Sequence, residues 1–204
     1  MSEPVTRAEL VDRLRALDLS TRKIVAIVGA PGAGKSTIVE DLAGAVPGAA
    51  ILPMDGYHYD DMVLVPRGDR PRKGAPWTYD VDGLATTLAR LAADDGRDVA
   101  VPVFDRSIEI ARAGARIITP EARLILVEGN YLLLDRDGWR DLARHYDLTI
   151  LLDVPLEVIE ARLAARWKDM TPEDAAVKIG ENDLPNARIV IDESRPADLR
   201  LKNG

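Results

Sequence analysis

Hydrophobic and polar positions alternate in two distinct rhythms along this chain. Short, nearly continuous apolar runs occur at KIVAIV (23–28), AAIL (49–52), VAVPV (99–103), LILVEG (124–129) and LTILLD (148–153). Runs of that length, apolar on both faces, suit strands of a parallel sheet covered by helices. Between them lie segments with helical spacing: Ser36 to Ala45, Asp82 to Asp95 with Leu84, Leu88 and Leu91, and Leu156 to Lys168. At the N-terminus Thr6 and Glu9 have the spacing of a capping box. Leu10, Val11, Leu14 and Leu17 follow on one face, which predicts a helix within residues 1–20. Strands alternating with helices predict a doubly wound α/β domain.

Two stretches break the rhythm. SIEIARAGARIITP alternates around an Ala-Gly turn and predicts a small antiparallel hairpin outside the main sheet. Residues 57–80 hold three prolines and two glycines with little helix or strand pattern. A loop that long in a compact domain is usually functional or disordered.

Composition changes the picture in three ways. The chain has 204 residues, enough for one domain with a small lid. It has no cysteine, which excludes disulfides and thiolate metal sites and fits a reducing cytoplasm. Its formal charge of −7 argues against nucleic acid or anionic membrane as a general partner. The first residues show no charged-then-apolar leader, and no apolar run approaches the roughly 20 residues of a membrane span. A cytoplasmic protein is expected, and a homodimer is compatible with all of this.

The strongest chemical signal is GAPGAGKST, residues 29–37, between the first apolar run and the first helix. It fits G-x-x-x-x-G-K-[ST]. Backbone N–H groups of such a turn, together with the positive end of the following helix, make an anion cradle. The cradle consists of Gly29, Ala30, Pro31, Gly32, Ala33, Gly34, Lys35, Ser36 and Thr37. Lys35 can reach the β- and γ-phosphates, and the Ser36 hydroxyl can ligate Mg²⁺. A dinucleotide fingerprint fails because Thr37 would have to be glycine.

In open α/β sheets ligands bind beyond the carboxyl ends of the strands, so acids at those ends matter. Asp55, in ILPMDGYH, is the candidate to orient or deprotonate an acceptor hydroxyl. Glu128, in LILVEGNY, is the candidate metal partner beside Ser36, with Asp55 next to both and Glu128 also at the edge of the acceptor site. Asp153 ends another strand, and the following Pro155 suggests that it caps a helix. The base-reading N-K-x-D of GTPases is missing; GENDLPN comes nearest and lacks the lysine.

With those residues placed, the sequence resembles P-loop kinases of the uridine kinase, phosphoribulokinase and pantothenate kinase superfamily. It is most similar to the bacterial branch called fructose transport system kinase or uridine kinase-like. The resemblance spans about residues 22–192 and rests on GAPGAGKST, PMDGYHYDD, RKGAPWTYDVDGL, VPVFDR, VEGNYLLL and ENDLPNARIV. It implies the three-layer P-loop fold, with five parallel strands in the order 2-3-1-4-5 and a small lid at about 160–182. It also implies transfer of phosphate from ATP, with Mg²⁺, to a hydroxyl of a small metabolite. A sugar is the first choice of acceptor, a nucleoside such as uridine the second, and pantothenate the third. Lys35, Ser36, Asp55 and Glu128 match the family's phosphate, metal, acceptor-activating and Walker B-like positions. Arg162 and Arg166 match lid arginines that touch the phosphates; four residues apart, they also share a helical face.

The acceptor side is expected to include His58, Lys73, Tyr79, Asp105 and Arg106, with a basic cluster of Arg67, Arg70, Arg72 and Lys73 nearby. Trp77 stands where this branch often has glutamate, which removes a charge beside the expected acceptor pocket. A reading of another class, a regulator that binds nucleotide and transfers nothing, remains open at this point.

Overall fold

The computed structural model describes residues 2–204. Along the chain run β1 (Glu3–Val5), α1 (Arg7–Arg15), β2 (Lys23–Val28), α2 (Lys35–Ala45), β3 (Ala49–Pro53), α3 (Asp61–Arg67) and α4 (Val81–Ala93). Then come β4 (Val99–Asp105), β5 (Ile110–Ile118), β6 (Leu124–Gly129), β7 (Leu148–Asp153), α5 (Leu156–Arg166), α6 (Pro172–Val177), α7 (Leu184–Glu193) and β8 (Leu199–Lys202). A turn of π-helix, Lys178–Asp183, joins α6 to α7.

Six strands form one parallel sheet in the order β1-β8-β7-β2-β6-β3. The central strands β2 and β6 are buried along almost their whole length, as their unbroken apolar runs demand. Numbered from β2, the strands β2, β3, β6, β7 and β8 stand in the expected 2-3-1-4-5 order, and β1 adds a sixth at the edge.

VAVPV is not in this sheet. It belongs to β4, which pairs antiparallel with β5 in a separate two-stranded sheet. Val99 and Val101 are buried while Ala100 is exposed, so the run has a strand's alternation hidden by an apolar but outward-facing alanine. The predicted hairpin within SIEIARAGARIITP is likewise redrawn: most of that stretch is the single strand β5, and its partner is β4.

Helix α1 carries the capping box: the Thr6 hydroxyl accepts from the Glu9 backbone, and Glu9 accepts from the Thr6 N–H at 2.8 Å. Leu10 and Leu14 pin it to the core. Residues 57–80 are structured locally by α3 and short 3-10 turns rather than left as open loop. Among the described residues no helix is long and apolar enough to cross a membrane.

Candidate active site

Strands β2, β3 and β6 end side by side, and their ends form the floor of a cleft. The phosphate-loop segment leaves β2 and enters α2 through Gly34, which sits at φ +86°, where a side chain would be strained. Lys35 donates from Nζ to the carbonyls of Gly29 (2.9 Å) and Ala30 (3.1 Å) and to Asn130 Oδ1 (2.6 Å). Burial pulls its ammonium below the usual lysine value, against the attraction of Glu128 and Asp55. Pro31, Gly32, Gly34, Lys35, Ser36 and Thr37 line the cleft. Gly29, Ala30 and Ala33 shape the loop from below; a Cβ on Gly29 would sit 3.0 Å from that of Ala33.

Asp55 lies in the 3-10 turn Met54–Tyr57 after β3. That turn is pressed on β4 so closely that a Cβ on Gly56 would fall 2.4 Å from the Pro102 carbonyl oxygen. Asp55 Oδ2 accepts from Arg106 Nη2 at 2.6 Å, and the Tyr79 hydroxyl stands 3.5 Å from Oδ1. Burial works to raise its pKa, but His58 when protonated, Arg106, Lys35 and Arg166 outweigh it and hold Asp55 below the ordinary carboxylate value. Glu128, opposite Ile27 and Pro53 in the sheet register, is buried; desolvation and the charge of Asp55 push it up to about 7. Lys35, Arg106 and a hydrogen bond with Ser36 act the other way. Two neighbouring carboxylates are thus driven apart by their surroundings.

The far wall is aromatic and polar. His58 donates from Nδ1 to the Asp55 carbonyl at 2.7 Å, a tautomer fixed by the carbonyl acceptor, which leaves Nε2 with a lone pair. Burial holds its pKa below the usual histidine value. Its ring packs on Tyr79 (4.1 Å) and Phe104 (4.6 Å). Lys73 is buried at the cleft wall and is committed there: Nζ donates to Asp61 Oδ1 and to the Glu109 carbonyl, both at 2.7 Å.

Not every expected residue converges. Arg166 lines the cleft, but Arg162 does not: it donates to the carbonyls of Gly32, Ala33 and Asn203 and braces the phosphate loop from behind. Asp105 turns away to accept from Ser107 (2.6 Å) and Arg112 (3.3 Å). Trp77 is outside as well, 45% exposed, with its indole donating to Asp69 and its ring under Arg72. Tyr57 is buried in the core. Asp153 does not cap α5: Pro155 holds the cap position without a side-chain bond, and Asp153 faces Arg200 at 3.6 Å.

The structure adds residues that the motifs passed over. Asn130, at the end of β6, fixes Lys35. Asn182, Asp183 and Asn186, brought in by the π-turn and α7, line the cleft and are buried, as Trp167 and Lys178 also line it. The strings VEGNY and ENDLPN contained them, but a buried asparagine leaves no periodic trace.

Among the described residues no cluster of three or more His, Asp or Glu could hold a metal unaided. Ser36, Glu128 and Asp55 do suit a hard divalent ion that takes one or two carboxylates and completes its shell with phosphate and water. All three oxygen donors line the one cleft.

Comparison with known proteins agrees with this architecture. No family model matches the chain. A candidate uridine kinase of Schizosaccharomyces pombe is 32% identical over 206 residues, covering 92% of this chain and 87% of that protein. An ATP-dependent kinase of Lachancea thermotolerans is 29% identical, covering 84% of this chain and 63% of its own length. The crystal structure of a candidate fructose transport system kinase from Silicibacter sp. TM1040 superposes with a TM-score of 0.90 at 43% identity, covering 96% of this chain and 98% of that one.

Proposed function

Because the chain belongs to the ATP-dependent P-loop kinases of uridine kinase-like type, we propose that it phosphorylates a hydroxyl of a small metabolite, with a sugar as the first choice of acceptor. The observation that supports this reading best is the placement of Asp55. Its carboxylate is held charged by Arg106 and lines the same cleft as Lys35 and the loop amides.

Lys35 and the backbone N–H groups of residues 32–37 grip the β- and γ-phosphates of ATP. Ser36, Glu128 and Asp55 would hold Mg²⁺, which supplies charge neutralisation at those phosphates. Asp55 accepts a hydrogen bond from the acceptor hydroxyl and aims its oxygen at the γ-phosphorus. As the new P–O bond forms and the bond to the β-phosphate breaks, the hydroxyl proton passes to Asp55 and ADP leaves. A carboxylate held below its usual pKa is a weak base, so its work is chiefly orientation, which suits a loose transition state with late proton transfer. Lid residues within about 160–182, Arg166 and Lys178 among them, close over the reacting groups and exclude water. His58 Nε2 and Tyr79 meet the acceptor beside Asp55.

Asp55→Asn is expected to lower kcat by about 10²- to 10⁴-fold. Lys35→Ala should abolish phosphotransfer through loss of ATP binding. Both should keep the wild-type circular dichroism spectrum. Product detection by mass spectrometry with ATP and a panel of sugars, nucleosides and pantothenate reads the outcome. Wild-type turnover in Asp55→Asn would remove that residue from the reaction, and ATP binding without transfer to any acceptor would favour a regulator instead.

A further inference from the structure

We infer that Asn182, Asp183 and Asn186 form the acceptor-recognition wall of the cleft and select a neutral polyhydroxylated molecule over one that bears a carboxylate or phosphate. This rests on the phosphotransfer reading and adds to it the chemical class of the acceptor.

Asp183 is the centre of the argument. It is 8% exposed, lines the cleft, and makes no ion pair among the described residues. Its one side-chain partner there is the Trp167 indole, which donates to Oδ2 at 2.7 Å. A shielded carboxylate with a single donor is costly unless something entering the cleft supplies more. Hydroxyls can do so. A second anion cannot, and would repel it.

Its neighbours set where that donor must sit. Asn182 donates to the Lys73 carbonyl (2.9 Å) and accepts from Asn186 (3.1 Å). This ties the π-turn to the segment that carries Gly74 and Lys73. The Tyr131 hydroxyl donates to the Gly74 carbonyl at 2.7 Å. Asp55 and Asp183 line the same cleft. An acceptor aimed by Asp55 therefore presents its other hydroxyls toward Asp183. A π-turn is itself a frequent device for swinging side chains into a site.

The cations complete the case. On the acceptor side, Lys73 is paired with Asp61 and Arg106 with Asp55. Arg166 and Lys178 make no ion pair among the described residues, but they stand on the lid side, Lys178 over the Trp167 ring, where the triphosphate would meet them. Arg72 makes no ion pair either, but it does not line the cleft and spends its N–H groups on the side-chain oxygens of Asn182 and Asn186 behind the wall.

The test compares matched acceptors on the full chain: D-fructose with D-fructose 6-phosphate, and glycerol with D-glycerate. Calorimetric titration in the presence of a non-hydrolysable ATP analogue reads binding, and coupled ADP release reads turnover. Wild type should bind the neutral member of each pair better. Asp183→Asn keeps the shape and an oxygen for Trp167, and should raise KM for the neutral acceptor by about 10- to 100-fold. Its affinity for ATP should stay unchanged. Neutral sugar bound without turnover would sink the kinase reading and leave this wall standing. Preference for the acid member, a KM unchanged in Asp183→Asn, or no neutral polyol bound at millimolar concentration would overturn the inference. The wild-type comparison needs no variant, so a failure of Asp183→Asn to fold leaves the test intact.

Discussion

Asp55 and Glu128 illustrate how two like side chains at the ends of neighbouring strands acquire opposite characters. Arg106, Lys35 and Arg166 overcome burial at Asp55, whereas burial and the Asp55 charge dominate at Glu128, which is pushed up to about 7. An acid raised in this way from 4.5 contributes stability below about pH 4.5, and the contribution is lost as pH rises through about 7. Metal-free wild type therefore carries a growing penalty across that window, on the order of 1–3 kcal/mol. Glu128→Gln does not titrate. In the presence of EDTA its stability relative to wild type should climb over the same window, and the variant should be the more stable protein at alkaline pH while losing phosphotransfer. Urea unfolding at several pH values measures this. A flat difference would mean that Glu128 stays ionised in the folded protein throughout.

At the scale of elements, the cleft depends on a turn that is clamped rather than merely placed. The Met54–Tyr57 turn touches β4 across Gly56, where any Cβ would meet the Pro102 carbonyl at 2.4 Å. Gly56→Ala must push the β4–β5 hairpin away, at a cost of about 1–3 kcal/mol. It should also separate Arg106 from Asp55 and lower turnover. Denaturant midpoints and kcat measured together test this, and an unchanged midpoint would show that the hairpin yields freely. The same elements mark what the sequence discloses. GAPGAGKST, Asp55 and Glu128 were legible because a strand end and the residues just after it are contiguous in sequence. β1 and β8 were not: EPV is a three-residue edge strand and LRLK a four-residue strand beside it, and only Leu199 and Leu201 of β8 face inward. Nor was the acceptor wall, since Asn182 and Asn186 are buried against Lys73 and Arg72 from far along the chain. Arg162 and Asp105 show the converse. Both have the residue type a site needs, but tertiary packing spends them on the loop carbonyls and on Arg112.

For the whole molecule, a net charge of −7 has to be reconciled with a polyanionic substrate. The answer is local: Lys35, Lys73, Arg106, Arg166 and Lys178 all border one cleft, and low-dielectric walls strengthen their combined field there. Arg166 ends α5 and Lys178 opens the π-turn, and neither makes an ion pair among the described residues, so ATP has cations to recruit when it arrives. Binding to the folded state alone should then stabilise the protein by about 2.7 kcal/mol at a hundredfold excess over Kd. For a chain of this size that is a rise in Tm of roughly 5–10 °C. Lys35→Ala should remove most of the rise, and Arg166→Ala part of it, each measured against the variant's own ligand-free Tm. A fluorescence melting series with ATP and Mg²⁺ decides it. If Arg166→Ala retains the full shift, the lid does not close on nucleotide alone, and its cations act only once the acceptor is seated.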